Sequence, residues 1–161
     1  MGVLVFAAWM GRDRFRPVMA GEPAPTFDVT DLQGEPVSLD DYRGEVVLVN
    51  IWATWCAPCR RETPCLQSLY EEYGDQGLQV VGVSMDSRGS KGEIRDFADR
   101  YEVTYRILHD PANRGMDAFS IMGLPATYLL DAEGTIRLVR VGPVAESDQE
   151  FMQAIRDAVG S

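Results

Sequence analysis

Two cysteines, Cys56 and Cys59, stand three residues apart inside the run Asn50-Ile51-Trp52-Ala53-Thr54-Trp55-Cys56-Ala57-Pro58-Cys59-Arg60-Arg61-Glu62-Thr63-Pro64. A buried strand, Val46 to Trp52, breaks at Thr54 and Trp55 and delivers both thiols to the first turn of a helix. Thiols at that spacing can close an intramolecular disulfide, and a helix N-terminus favours thiolate over thiol. The chemistry implied is thiol-disulfide exchange. Cys56, just ahead of the helix, is expected to be the exposed attacking thiol, and Cys59, one turn along, the inward thiol that resolves a mixed disulfide. A reference thiol with a pKa of about 8.5 is only a few per cent ionised at pH 7, whereas one near 6.5 would be mostly thiolate.

The elements that must hold this pair follow from periodicity. Phe27 to Leu39 reads as a small hairpin turning at Asp31-Leu32-Gln33-Gly34, after an extended linker from Gly21 to Pro25. Asp40 to Gly44 is a brief helical turn. The nearly continuous apolar run to Trp52 is that of a central strand covered on both faces. Leu66, Leu69, Tyr70 and Tyr73 give a helix over 58–73 one apolar stripe, ended by Gly74 and Gly77. Leu78 to Val83 is a second buried strand. Ser90-Lys91-Gly92-Glu93 is a capping box opening a helix with Ile94, Phe97, Ala98 and Tyr101 on one face. Tyr105 to Leu108 is a short strand, Ala112 to Phe119 a short helix, and Ala126 to Leu130 a strand entered through Pro125. Thr135 to Val141 returns antiparallel, and a second capping box, Ser147 to Glu150, opens a final helix presenting Phe151, Ala154, Ile155, Ala158 and Val159. This order predicts an α/β fold, a mixed central sheet with helices on both faces.

Composition sets outer limits. A chain of 161 residues with 45% apolar content suits one domain with a sizeable core. Its 15 basic and 25 acidic residues give a formal charge of −10, which repels phosphate backbones and anionic lipid surfaces, so nucleic acid is not an expected partner. Three cysteines between positions 56 and 65 cannot staple distant parts of the chain. Residues 1–20 are set apart as an N-terminal arm and 21–161 as the domain. The apolar run Val3 to Met10 is too short to span a bilayer, and Arg12, Arg14 and Arg16 follow it rather than precede it, against the order of a secretory signal. Val18-Met19-Ala20 has the small-x-small form of a cleavage site. A clipped signal or anchor and a disordered arm therefore both stay open.

With these residues on the page, the chain resembles a thioredoxin-fold protein of the TlpA/ResA-like thiol-disulfide oxidoreductases, with a redoxin, AhpC/TSA-like domain. Trp52 to Cys59 matches the family's active-site run, and Arg60 to Pro64 resembles the charged turn and helix-kinking proline after it. Gly123-Leu124-Pro125-Ala126-Thr127 is similar to the loop carrying the fold's cis-proline. The hairpin from Phe27 to Leu39 resembles the family's N-terminal extension, and the helix from Lys91 to Tyr101 with its strand resembles its βα insertion before the cis-proline loop. The likeness covers roughly residues 21 to 160.

The resemblance implies a Cys56/Cys59 dithiol-disulfide cycle that reduces protein disulfides, with cytochrome c maturation among the processes in view. It implies Pro125 in cis beside the cysteines, Leu124 offering its backbone to a substrate strand, and Trp55 as an apolar wall, with Trp52 in the core. Plain thioredoxin places a buried aspartate where this chain has Asn50, which cannot take a proton. Glu62 occupies the position of the family's active-site acid, and it lies three residues beyond Cys59 on the same helix side. It is assigned the acid/base role, against the bland reading of a solvated first-turn residue. The partners implied are a disulfide-containing protein, an upstream thiol reductant such as a membrane thiol reductase of DsbD/CcdA type, and no second copy of the chain. No cofactor or metal is expected. The expected location is extracytoplasmic, in a bacterial periplasm or on the outer membrane face, with or without an anchor, against a cytoplasmic alternative.

Two rivals and two loose ends accompany this reading. A peroxiredoxin-like peroxidase would want proline seven and threonine or serine three residues before its cysteine, where this chain has Val49 and Ala53, with Thr54 the nearest hydroxyl. A metal-binding chaperone module would need Cys65 and His109 beside the pair, but nine residues from Cys56 turns Cys65 to the opposite side of an ideal helix. Cys65 is therefore expected to be a small apolar filler outside the disulfide. His109 is expected on a surface loop after a strand.

Overall fold

The structure is a computed structural model and describes residues 16–160. The apolar run from Val3 to Met10, and with it the choice between signal, anchor and arm, lies outside the described residues. Seven strands form one sheet: β1 (Val29–Asp31), β2 (Pro36–Val37), β3 (Val46–Trp52), β4 (Leu78–Ser84), β5 (Arg106–His109), β6 (Ala126–Leu130) and β7 (Ile136–Val141). Among the described residues four α-helices accompany them: α1 (Ala57–Tyr73), α2 (Lys91–Arg100), α3 (Arg114–Phe119) and α4 (Gln149–Val159). The order across the sheet is β2-β1-β5-β4-β3-β6-β7.

The middle is parallel and the flanks are not. β3, β4 and β5 run parallel, while β1 pairs antiparallel with β5 and β6 antiparallel with β3. Because β3, β4 and β5 step across the sheet in one direction, right-handed crossovers put α1 and α2 on the same face. That face also holds α4, and its core joins Leu66 and Leu69, Ile94 and Phe97, and Phe151 and Ile155. The opposite core gathers Val47, Val49 and Ile51 with Leu39 and Tyr42 of a short 3-10 turn and Phe119 of α3. β3 is buried over all seven residues, as its apolar run requires.

The period of two along β3 decides which of its residues meets the helix layer. Val46, Leu48 and Trp52 belong to the α1 side and Val47, Val49 and Ile51 to the other, so Asn50 faces α1. On β4 the matching position is Gly82, where a Cβ would meet the Trp52 indole nitrogen at 3.0 Å and a Tyr105 ring carbon at 3.2 Å. A side chain there would crowd Trp52 and Tyr105, which must give by a few tenths of an ångström to admit it.

Four local expectations change. The stretch from Gly21 to Pro25 is not a free linker: the Gly21 amide donates to the Ile136 carbonyl at 2.7 Å, the Ala24 amide to that of Gly134 at 2.9 Å, and Pro23 bridges Thr135. It pairs with the start of β7, where backbone groups of the sheet edge would otherwise be unpaired. At α2, the Ser90 side chain makes no cap hydrogen bond and instead lies 3.1 Å from the Ser87 hydroxyl. At α4 the cap is Asp148, not Ser147, its carboxylate accepting from the Phe151 amide at 3.1 Å. His109 ends β5 rather than following it, and is buried.

Candidate active site

The disulfide is assembled where β3 ends. The Cys56 amide donates to the Ala53 carbonyl at 3.1 Å, which turns the chain, and Cys56 becomes the N-cap of α1 with extended φ and ψ of −82° and 107°. Pro58 sits in the first turn, where its missing N–H costs no intrahelical bond and its fixed φ suits the helix. Cys56 and Cys59 are joined, with their Cα atoms 5.3 Å apart. The Cys56 sulfur accepts from the Cys59 amide at 3.3 Å, as a serine or aspartate cap would, so a thiolate formed there meets an N–H at the positive end of the helix. In the disulfide both cysteines are enclosed, Cys56 at 5% exposure and Cys59 at 1%. The expected contrast between an exposed attacker and an inward resolver is thus small in the disulfide form.

Glu62 is not a solvated helix residue. It is 1% exposed, on the side of α1 that faces β3. Asn50 donates its side-chain amide to Glu62 Oε1 at 2.7 Å, and the Val144 main-chain amide donates to Oε2 at 3.0 Å. Among the described residues no arginine or lysine forms an ion pair with it. Burial therefore dominates, only partly opposed by the donated hydrogen bonds, and the carboxyl is pushed up to about 7. A carboxyl poised there can take or give a proton near neutral pH.

Asn50 also reaches the other side of the site. Its amide donates to the Thr127 hydroxyl at 3.0 Å, across the register pair Asn50–Thr127 of β3 and β6. Thr127 stands two residues after Pro125, and the Leu124–Pro125 peptide is cis. Sequence reasoning weighed Asn50 only as a missing proton acceptor and did not find Thr127 or Val144. The alternation of β3, which turns Asn50 toward α1, was the available signal for the first.

A groove of about 570 Å³ opens beside the disulfide, lined by Trp55, Cys56, Pro58, Met85, Met122 and Leu124 among others. Trp55 is 67% exposed and forms one wall, whereas Trp52 is buried. The structure thus brings Trp55, Cys56 and Leu124 to one groove, with Pro125 adjoining.

Cys65 is a free, buried thiol within the same apolar cluster as the disulfide. Burial first, then the charges of Glu146 and Glu62, push it up to about 11. His109 Nε2 lies 2.9 Å from the Asp86 carbonyl oxygen and 3.2 Å from that of Ser87, so the lone histidine ties two strand ends together rather than facing solvent. Among the described residues no group of three or more His, Cys, Asp or Glu side chains is placed to hold a metal ion. No helix among them is long and apolar enough to cross a membrane.

Comparison with known proteins agrees with this geometry. Residues 20–139 match the AhpC/TSA family. The chain is 42% identical over 135 residues to the thioredoxin-like protein YneN of Bacillus subtilis, covering 83% of this chain and 78% of that one. It is 36% identical over 133 residues to the thiol-disulfide oxidoreductase ResA of Geobacillus kaustophilus, covering 83% and 75%. A solved structure from Chlorobium tepidum, named as a thiol:disulfide interchange protein DsbE, superposes with a TM-score of 0.81 at 29% identity, covering 89% of this chain and 99% of that one. The chain belongs to the AhpC/TSA family as a ResA-like thiol-disulfide oxidoreductase.

Proposed function

We propose that the protein reduces disulfides in other proteins by cycling Cys56 and Cys59. The observation that carries this reading is the Cys56 sulfur at the helix cap, accepting from the Cys59 amide, with a buried carboxyl one turn further along α1. The Cys56 thiolate attacks one sulfur of the substrate disulfide, forming a mixed disulfide and expelling the other substrate sulfur as thiolate. Cys59 then loses its proton to Glu62 and attacks the Cys56 sulfur. The mixed bond breaks, the second substrate thiolate leaves, and the Cys56–Cys59 disulfide forms. An external dithiol restores the pair.

Trp55, Leu124 and Pro125 form the substrate wall in this reading. An extended substrate segment pairs with the Leu124 backbone while its side chains lie in the groove under Trp55. The substrate is a disulfide-bearing polypeptide, with an apocytochrome c whose haem-attachment cysteines are oxidised to a disulfide as the candidate. A membrane thiol reductase of DsbD/CcdA type is the proposed upstream reductant, and the protein acts as a monomer outside the cytoplasm. A peroxidase role is disfavoured by Val49 and Ala53, both fully buried and without the hydroxyl and ring that position a peroxide.

The test is a redox titration of the Cys56/Cys59 pair against glutathione and dithiothreitol. A reductant equilibrates well below the glutathione poise, while a potential near that of DsbA, about −120 mV, reverses the proposed direction. Cys59→Ser should accumulate a mixed disulfide with a substrate peptide, and Cys56→Ser should form none.

A further inference from the structure

Thr54, in the turn that leads from β3 to Cys56, has all its polar groups occupied. Its amide donates to Asp86 Oδ2 at 2.9 Å, its hydroxyl to Asp86 Oδ1 at 2.6 Å, and its carbonyl accepts from Arg60 Nη1 at 3.0 Å. Asp86, just past the end of β4, is 3% exposed and forms no ion pair among the described residues. Burying a carboxylate is costly unless donors surround it. Its donors are Thr54 twice and the Ser84 hydroxyl at 2.7 Å.

Asp86 is itself anchored. Its amide donates to the Ser84 hydroxyl at 3.2 Å, and its carbonyl oxygen lies 2.9 Å from His109 Nε2. The neighbouring Met85 amide donates to the Trp52 carbonyl at 2.8 Å, and the Asp110 amide to the Ser84 carbonyl at 2.8 Å. Three consecutive parallel strands are thus tied at the ends from which the active-site turn emerges, and the tie to that turn runs through one carboxylate.

We infer that Asp86 is a positioning residue for the nucleophile: by gripping Thr54 it holds Cys56 at the cap of α1, most of all when the disulfide is open. This inference rests on the dithiol-disulfide reading above. In the oxidised form the covalent bridge to Cys59 restrains Cys56 whatever Thr54 does. After reduction that bridge is gone, and Cys56 keeps its place over the Cys59 amide only through its own backbone, the Ala53–Cys56 turn and the Thr54 clamp. Loosening the clamp therefore destabilises the dithiol form more than the disulfide form. The pair becomes harder to reduce.

The experiment compares the wild type, Asp86→Asn and Thr54→Val. Each is equilibrated with dithiothreitol, and the denaturant stability of its disulfide and dithiol forms is measured. Asp86→Asn keeps the shape but turns one acceptor into a donor facing donors. Its equilibrium constant for reduction should fall about tenfold, which for two electrons is about 30 mV more negative. Thr54→Val keeps the backbone hydrogen bond and loses only the hydroxyl, so a smaller fall, about threefold, is expected, with the dithiol form losing more stability in both variants. A clamp that is merely structural lowers both forms equally and leaves the constant where it was. An unchanged or increased constant in Thr54→Val overturns the inference, and that variant decides alone if Asp86→Asn does not fold. Failure of the wild type itself to exchange with dithiothreitol would instead overturn the dithiol-disulfide reading.

Discussion

Asn50 of β3 and Glu62 of α1, both buried, are joined by a 2.7 Å hydrogen bond from the asparagine amide to the carboxyl oxygen. Thioredoxin-like sites need a proton acceptor near the inner cysteine. Here the strand position holds a neutral donor, and a buried carboxyl lies on the helix, where the strand residue's amide donates to it.

Glu62→Gln should flatten the pH dependence of stability. Native Glu62 is raised to about 7, above its value of 4.5 in an unfolded chain, so between these pH values the native state binds more protons. Stability is then fully present below pH 4.5 and is lost as pH rises through 7. The size is about 3 kcal/mol at most, from 1.36 kcal/mol per unit. Urea unfolding of the disulfide form at several pH values measures it without interference from the active-site thiols. A glutamine variant with the wild-type slope would show that another group titrates.

Asn50→Asp would set a second carboxyl against the first at hydrogen-bond distance. Two such groups cannot both ionise at low cost, so they titrate as a coupled pair whose upper apparent pKa exceeds that of Glu62 alone. The variant should lose at least ~2 kcal/mol more stability at pH 8 than at pH 5, relative to wild type. Carboxyl carbon NMR would show the shared proton. Two independent carboxyls titrating in the ordinary range would contradict the geometry.

Cys65 should be the least reactive thiol of the reduced protein. Raised to about 11, it stays protonated at pH 8, so the nucleophilic thiolate is scarce there. Alkylation by iodoacetamide should be on the order of a hundredfold slower than at Cys56. Cys65→Ala should leave disulfide exchange unchanged and cost roughly 1 kcal/mol of stability, the loss of a small buried group. Rapid labelling of Cys65, followed by peptide mapping, would count against its role as filler.

Much of this architecture was open to a reading of residues in order. The apolar run of β3, the stripe on α1 and the turn at Asp131 to Gly134 each declare themselves within a dozen residues, and the structure has them within a residue or so. Caps were less legible. Ser90 and Ser147 stand at the right spacing, yet one hydroxyl turns to Ser87 and the other yields to Asp148, since each choice depends on backbone angles only the packed chain sets. His109 read as surface because its strand ends one residue later than its apolar run, and its partners are carbonyls more than twenty positions away.

By itself the sequence determined the pair Cys56 and Cys59, their seat at a helix start and the order of strands and helices, because each of these is a local pattern of side-chain type and period. Only the tertiary structure decided what surrounds the pair. The Glu62 carboxyl is raised because α1, β3 and the loop bearing Val144 together exclude water from it, and Thr54 is clamped because Asp86 lies just past the end of the neighbouring strand β4. Desolvation and hydrogen bonding between distant segments depend on which surfaces meet, and no spacing along the chain records that.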